Sequence, residues 1–300
     1  MLLSIGEILL DTFIKSNEEG YDAILKVGGA PFNLAARVSL KGVPSSFYGA
    51  IGDDLLGKMV SEEAKKYPLS ACFLKRIPRK STTLAVVTLL DGERSFDFLR
   101  KDETDCFLDI DDLKRFSFSS KDIVHFGSLL LTNERGYRFL RDAIDFLKPF
   151  SSRLSFDMNV RKKAFFEKDD RIKERYRSVL KEMDFVKASD EDFCWLTSLE
   201  PSSFKKDFLK KDSFFFLTHG QKGSEAYFEK EGEEGVRRFF VPSLKVKSID
   251  TTGAGDAFYA SILTDFLRKA DTSDLASILL KANREGALAT TYKGALPKVK

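Results

Sequence analysis

Apolar positions along the chain fall into short β-type runs that alternate with stretches of helical spacing. Residues 2–10 read as a strand built on Leu2, Leu3, Ile5, Ile8 and Leu9. Gly28-Gly29-Ala30-Pro31 opens a helix whose apolar face is Phe32, Leu34, Ala35, Ala36, Val38 and Leu40, and Gly42 supplies its stop. Ser46–Ile51 reads as a strand that ends in Gly52-Asp53-Asp54, and residues 55–67 return to helix. From residue 123 the alternation is regular. Strands at 123–126, 154–157 and 185–188 precede helices at 133–148, 168–182 and 189–197. Strands follow at 214–218, 224–228 and 237–240, and the chain closes with helices at 254–268 and 273–291. Repeated strand–helix units predict an α/β fold: a doubly wound, mostly parallel sheet flanked by helices, with its sites at the carboxyl ends of the strands.

Two stretches break the pattern. Residues 82–90 are a β-rich run, Asp91-Gly92 is a tight-turn signal, and residues 94–100 alternate, which predicts a hairpin. Residues 11–27 are mixed and extended, with turn residues at 17–20. Together, 11–27 and 80–100 are expected to form a small β-sheet projecting from a main domain of residues 1–10, 28–79 and 101–300.

Composition narrows the function classes. Lys plus Arg is 49 and Asp plus Glu is 46, a net charge of +3 over 300 residues, and the basic stretches are interleaved with acids. No nucleic-acid footprint is expected from that balance. Cys72, Cys106 and Cys194 are far apart and in no CxxC pattern, which excludes a disulfide framework and a cysteine zinc site. They suit a reducing cytoplasm. The opening residues lack a basic region and Glu7 interrupts their apolar run, so neither a secretory signal nor a membrane span is expected. His125, Trp195 and Phe214-Phe215-Phe216 read as core, His219 as a packing or hydrogen-bonding residue, and Asp109–Asp112 as a helix start.

The chemistry concentrates in Val246-Lys247-Ser248-Ile249-Asp250-Thr251-Thr252-Gly253-Ala254-Gly255-Asp256-Ala257-Phe258. A strand is expected to run into a glycine-rich turn and straight into a helix. Glycines admit a ligand close to the backbone, and the helix start adds unpaired N–H groups and partial positive charge, which together make an anion site. Asp256 would repel a phosphate held there. The conflict is resolved if it takes a proton from a hydroxyl that attacks phosphorus. Isolated, Gly-x-Gly-Asp reads as a capped helix start, and the attached Asp250-Thr251-Thr252 shifts the reading to catalysis. A Walker A loop is absent, and the third small residue of a dinucleotide fingerprint is replaced by Phe258, which sets an NAD-dependent oxidoreductase aside. The second motif, Gly28-Gly29-Ala30-Pro31-Phe32-Asn33, reads on its own as a turn into a helix, with Asn33 able to meet sugar hydroxyls.

The two motifs, in this order and some 220 residues apart, resemble the ribokinase or pfkB-type carbohydrate kinases. Gly6-Glu7, Asp11, Gly52-Asp53-Asp54-Leu55-Leu56-Gly57 and Thr218-His219-Gly220-Gln221-Lys222-Gly223 agree with that family. Ser155-Phe156-Asp157-Met158-Asn159-Val160-Arg161 and Lys187-Ala188-Ser189-Asp190-Glu191 are similar to the fructokinase branch. Met158, Val160, Leu99, Thr104 and Asp192 depart from its usual residues. The resemblance implies a ribokinase-like fold with the small sheet as a lid. It implies a phosphotransferase that moves the γ-phosphoryl of ATP to a primary hydroxyl of a small sugar. Fructose leads, with 2-keto-3-deoxygluconate or another sugar or nucleoside as the alternative. A silent sugar- or nucleotide-binding protein on the same fold is the competing class, and an intact Asp256 argues against it.

The same resemblance assigns residues. Asp256 would be the base and Gly253, Ala254 and Gly255 the anion pocket. Asp11, Gly28, Gly29, Asn33, Arg100, Asn159 and Arg161 would hold the sugar. Ser189, Thr218, Gly220, Gly223, Asn283 and Gly286 would hold the nucleotide. Asp250 and Thr252 would belong to a monovalent-cation loop, usually filled by K+, and Asp192 to the water network of the Mg2+ that accompanies ATP. Pairing of two lids would make a homodimer.

Overall fold

The computed structural model describes residues 1–90, 93–165, 167–229, 235–269 and 274–298. In chain order the strands are β1 (Leu2–Ile5), β2 (Leu9–Asn17), β3 (Gly20–Gly28), β4 (Ser45–Gly52), β5 (Ala71–Ile77), β6 (Leu84–Leu90), β7 (Glu93–Leu99), β8 (Ile123–Phe126), β9 (Arg153–Asp157), β10 (Phe185–Ser189), β11 (Phe214–Thr218), β12 (Ser224–Glu229) and β13 (Val236–Val241). The helices are α1 (Ala30–Leu40), α2 (Leu55–Ala64), α3 (Ile110–Leu113), α4 (Glu134–Leu147), α5 (Asp169–Leu180), α6 (Asp190–Leu196), α7 (Pro201–Phe208), α8 (Ala254–Leu267) and α9 (Leu275–Ala289). The Asp91-Gly92 turn and residue 273, the expected first residue of the last helix, lie outside the described residues.

Nine strands form one sheet in the order β13-β12-β11-β10-β9-β8-β1-β4-β5. All its pairings are parallel except β11 with β12 and β12 with β13. Its inner strands bury both faces, and the period of two sorts their side chains between two helical layers. In the triple phenylalanine of β11, Phe215 packs against Phe193 of α6 and Phe204 of α7, while Phe214 and Phe216 meet Phe266 of α8 on the other side. Trp195 is buried against Tyr176. His125 lies in the same interior, its Nδ1 against Ser155 Oγ at 3.1 Å, and burial pushes its pKa down to about 3. Asp109 caps α3 by accepting the N–H of Asp111.

A second sheet has the order β3-β2-β6-β7. It contains both segments that broke the α/β alternation, and residues 11–27 resolve into the arm of a β2–β3 hairpin. Two sequence expectations change. The strand expected over 2–10 is two strands in different sheets. At Gly6 the chain takes φ of +148°, and a Cβ there would stand 2.9 Å from Pro31 Cγ, so the chain turns out of the main sheet at this point. β5 was not anticipated, because its Lys75, Arg76 and mixed burial do not give a strand pattern on the edge of the sheet.

The central strand β1 pairs with β4 on one side and with β8 on the other, and a crevice is expected at their carboxyl ends. Glu7 follows the carboxyl end of β1. It is 3 % exposed, and its Oε2 has no hydrogen-bond partner among the described residues. Burial pushes its pKa up to about 8, reinforced by Asp105 and opposed by its own backbone, Arg100 and Arg161. The folded chain therefore holds this proton at pH values where the unfolded chain has released it. Between the ordinary carboxyl value and about 8, Glu7 makes stability fall as pH rises, by at most about 1.4 kcal/mol per pH unit. Urea unfolding of Glu7→Gln and the parent at pH 5, 7 and 9 should show the variant gaining relative stability up to about pH 8 and no further. Parallel curves at all three pH values would contradict a buried neutral acid here.

Candidate active site

Two helix starts separated by most of the chain meet over this crevice. Pro31 sets the first turn of α1, and that turn presents Asn33 to the first turn of α8, where Asn33 Nδ2 donates to Asp256 Oδ2 at 2.7 Å. Asp256 is half-buried, neither sealed in the core nor turned away from the Gly28 region. Asn33 Oδ1 is buried without a partner among the described residues. The amide therefore fixes one carboxylate oxygen of Asp256.

The start of α8 is shaped by close approach. Gly253 takes φ of +75° with no room for a side chain, since a Cβ would stand 2.6 Å from Ala295 Cα. The N–H of Ala254 turns back onto Thr251 O at 3.2 Å. The first-turn donors left for an anion are thus those of Gly255 and Asp256, one residue further along than the glycine pattern alone indicates. Beside Gly255 lies a group that sequence reasoning did not assign. Lys187 Nζ would be 2.9 Å from a Gly255 Cβ, and it holds Asp157 Oδ2 at 3.0 Å. Both residues are nearly inaccessible. Burial pulls the Lys187 pKa down, and the carboxylates of Asp157, Asp192 and Asp256 outweigh it, so the ammonium stays charged. Burial pushes Asp157 up to about 6 against the pull of Lys187, and its Oδ1 has no partner among the described residues. The signal for Lys187 was a lone lysine in the apolar run Phe185-Val186-Lys187-Ala188.

On the other side of α8 is a cavity of about 390 Å³. Thr218, Gly220, Gly223, Asn283 and Gly286 line it, as does Gly255. Asn283 Nδ2 is tied to Val241 O at 2.8 Å and supports the wall. Residues 242–253 are irregular rather than the expected strand, because the ladder ends at Val241 and Leu244 and Val246 become an apolar wall of this cavity. Ser189 is not among the lining residues. Its hydroxyl and the Asp192 carboxylate form the capping box of α6, and the second Asp192 oxygen accepts the N–H of Val160 at 2.8 Å. His219 contacts Asp190 and faces Glu225 at 3.5 Å.

The expected sugar residues divide. Asp11 is buried with its carboxylate directly over Gly28, where a Cβ would be 2.2 Å from Oδ2, and Gly29 ends the same strand-to-helix step. Asn159 is half-buried with φ of +33°, its carbonyl held by Ser128 Oγ, and Arg161 is exposed. Arg100 does not face a cleft. Its guanidinium is sealed against Asp105, with Thr132 Oγ1 at 2.7 Å and Leu129 O at 3.3 Å taking further N–H groups. Asp250 accepts from Thr252 N and Oγ1 with one oxygen and from Gly294 N at 2.8 Å with the other. Among the described residues no His, Cys, Asp and Glu cluster has the makings of a metal cage, and no helix is long and apolar enough to cross a membrane.

Known proteins resemble this chain over most of their length. Residues 1–299 match the family described as pfkB family carbohydrate kinase. Fructokinase-2 of Zea mays is 34% identical, covering 99% of this chain and 90% of the relative. The fructokinase of Vibrio alginolyticus is 31% identical over 95% of this chain and 92% of its own. A double mutant of the Vibrio cholerae fructokinase, solved with fructose, ADP and potassium, superposes with a TM-score of 0.85 at 28% identity, covering 98% and 93% of the two chains. A sugar kinase from Pyrococcus horikoshii solved with ATP gives 0.83 at 29% identity, covering 98% and 94%. A match that leaves out only the final residue, carried by relatives that share about a third of its sequence end to end, places this chain in the pfkB family of carbohydrate kinases.

Proposed function

We propose that the chain is an ATP-dependent fructokinase in which Asp256 activates a primary hydroxyl of the sugar. The observation that carries this reading is the Asn33–Asp256 hydrogen bond. It orients a half-buried carboxylate in the same helix turn as the Gly255 N–H, which supports this reading. The acceptor hydroxyl gives its proton to Asp256 as its oxygen attacks the γ-phosphorus in line. The N–H groups of Gly255 and Asp256 and the Lys187 ammonium face the negative charge that gathers on the transferred group. The adenine end of ATP fits the cavity of Thr218, Gly220, Gly223, Asn283 and Gly286, and Ser189 and Asp192 act behind it by fixing the start of α6.

The donor set suits a divalent ion that travels with the nucleotide. Asp157 Oδ1 is a buried oxygen without a partner among the described residues, and Asp192 lies in the same field. Mg2+ bound with ATP would neutralise the β- and γ-oxygens. On the sugar side Asp11, Gly28, Gly29, Asn33, Asn159 and Arg161 surround the acceptor. Arg100 supports the wall through Asp105, and a sealed guanidinium is not offered to the carboxylate of a sugar acid, which favours a neutral sugar over ketodeoxygluconate. In this reading the second sheet covers the sugar and limits loss of ATP to water. Tyr21, Ile24 and Leu99, exposed on that sheet, suit its pairing in a homodimer. The free cysteines fit a cytoplasmic enzyme.

The direct test is an acceptor panel of fructose, ribose, ketodeoxygluconate and nucleosides with Mg–ATP. Fructose should give the highest kcat/KM, and equal rates for a nucleoside or the sugar acid would overturn the assignment. Asp256→Asn should lower kcat by about 10²–10⁴ while ATP affinity, followed by calorimetry, stays nearly unchanged. Near-parental turnover would remove Asp256 from the mechanism. Gly255→Val should displace the Lys187 ammonium and obstruct the anion pocket, so nucleotide affinity and turnover should fall together. A variant that binds ATP as the parent does would argue against this pocket.

A further inference from the structure

Lys26 on β3 lies directly opposite Asp11 on β2, so the two side chains leave the second sheet on the same face. Lys26 crosses 267 positions of sequence to donate to the carbonyl of Lys293 at 2.6 Å. The next residue, Gly294, gives its N–H to Asp250, and a Cβ on it would come within 2.9 Å of Lys26 Nζ. Glycine at 294 is what lets the ammonium rest over this peptide. Asp250 in turn holds Thr252 at the entrance to α8, and Ala295 packs on Gly253. Burial pulls the Lys26 pKa down, with Asp250 the first of the charges that hold it up. The Asp250 carboxylate already spends both oxygens on protein donors, so the loop's acid and the Lys293 carbonyl face a cation belonging to the chain itself. That arrangement disagrees with a loop built to wait for a free ion.

We propose that Lys26 is a positioning residue for phosphoryl transfer: a tethered ammonium that supplies the 250–254 and 290–295 loops with the positive charge a free monovalent cation would otherwise bring. The inference rests on the kinase reading. Its physical content is that docking of β3 and stiffening of the anion pocket become one event, with no separate ion to capture.

Turnover on fructose and Mg–ATP is compared in choline chloride and potassium chloride at equal ionic strength. The parent should change by less than about twofold between the salts, whereas Lys26→Met should lose about tenfold or more in choline and regain most of it in potassium. Lys26→Arg should keep the parental pattern. Calorimetric binding of a non-hydrolysable ATP analogue in the same salts gives a readout apart from turnover and should follow the same order. Lys26 is half-exposed on an edge strand, and thermal melts establish that the variants fold. A parent stimulated tenfold by potassium overturns the proposal. So does a Lys26→Met variant equal to the parent, or one that loses activity equally in both salts. A parent that phosphorylates no sugar counts against the kinase reading alone, because the analogue-binding pattern still decides the role of Lys26.

Discussion

One buried ammonium organises the catalytic end of this molecule. Lys187 stands beside the start of α8 with Asp157, Asp192 and Asp256 around it, each delivered by a different element. Three carboxylates so placed would repel one another, and the shared cation makes their convergence tolerable. The charge balance also explains why an acid can sit at an anion pocket at all. In the proposed reading a phosphoryl group approaching Gly255 would meet N–H groups and an ammonium, while Asn33 holds one oxygen of Asp256.

The sheet makes that placement reproducible. β9 ends at Asp157, β10 carries Lys187, and the parallel register sets Asp157 beside Lys187 across the ladder. α8 reaches the same point from the far side of the fold because Phe258, Ile262 and Phe266 are buried against strands and helix α9. The aromatic packing of Phe185, Phe214 and Phe216 on Phe266 thus holds the helix whose first turn carries Gly255 and Asp256.

Much of this was legible in the chain. The glycine-rich turn, Asp256 and Asn33 could be found because close backbone approach and a capped helix leave a residue signature. The parallel core was readable from its period. What escaped was set by the third dimension. Lys187 looks like any lysine until its strand is flanked by β9 and the start of α8. The family resemblance puts Arg100 at the sugar, yet Asp105, five residues on, folds back to seal its guanidinium. The same resemblance puts Ser189 at the nucleotide, whereas its hydroxyl is spent on the capping box with Asp192. β5 lacked an apolar pattern because an edge strand half open to water does not need one.

The loop at 290–296 carries a consequence for how the enzyme comes into being. Arg37 near the amino end grips Ala295 O at 2.5 Å and Tyr292 at 2.9 Å, and Ala295 in turn seats Gly253. During synthesis the ribosome releases β1, α1 and their glycine entrance some 250 residues before the segment that completes them. Throughout that interval the nascent chain has half a site and nothing to close it. The packing of Ala295 on Gly253 and the grip of Arg37 are therefore complete only when residue 295 has emerged.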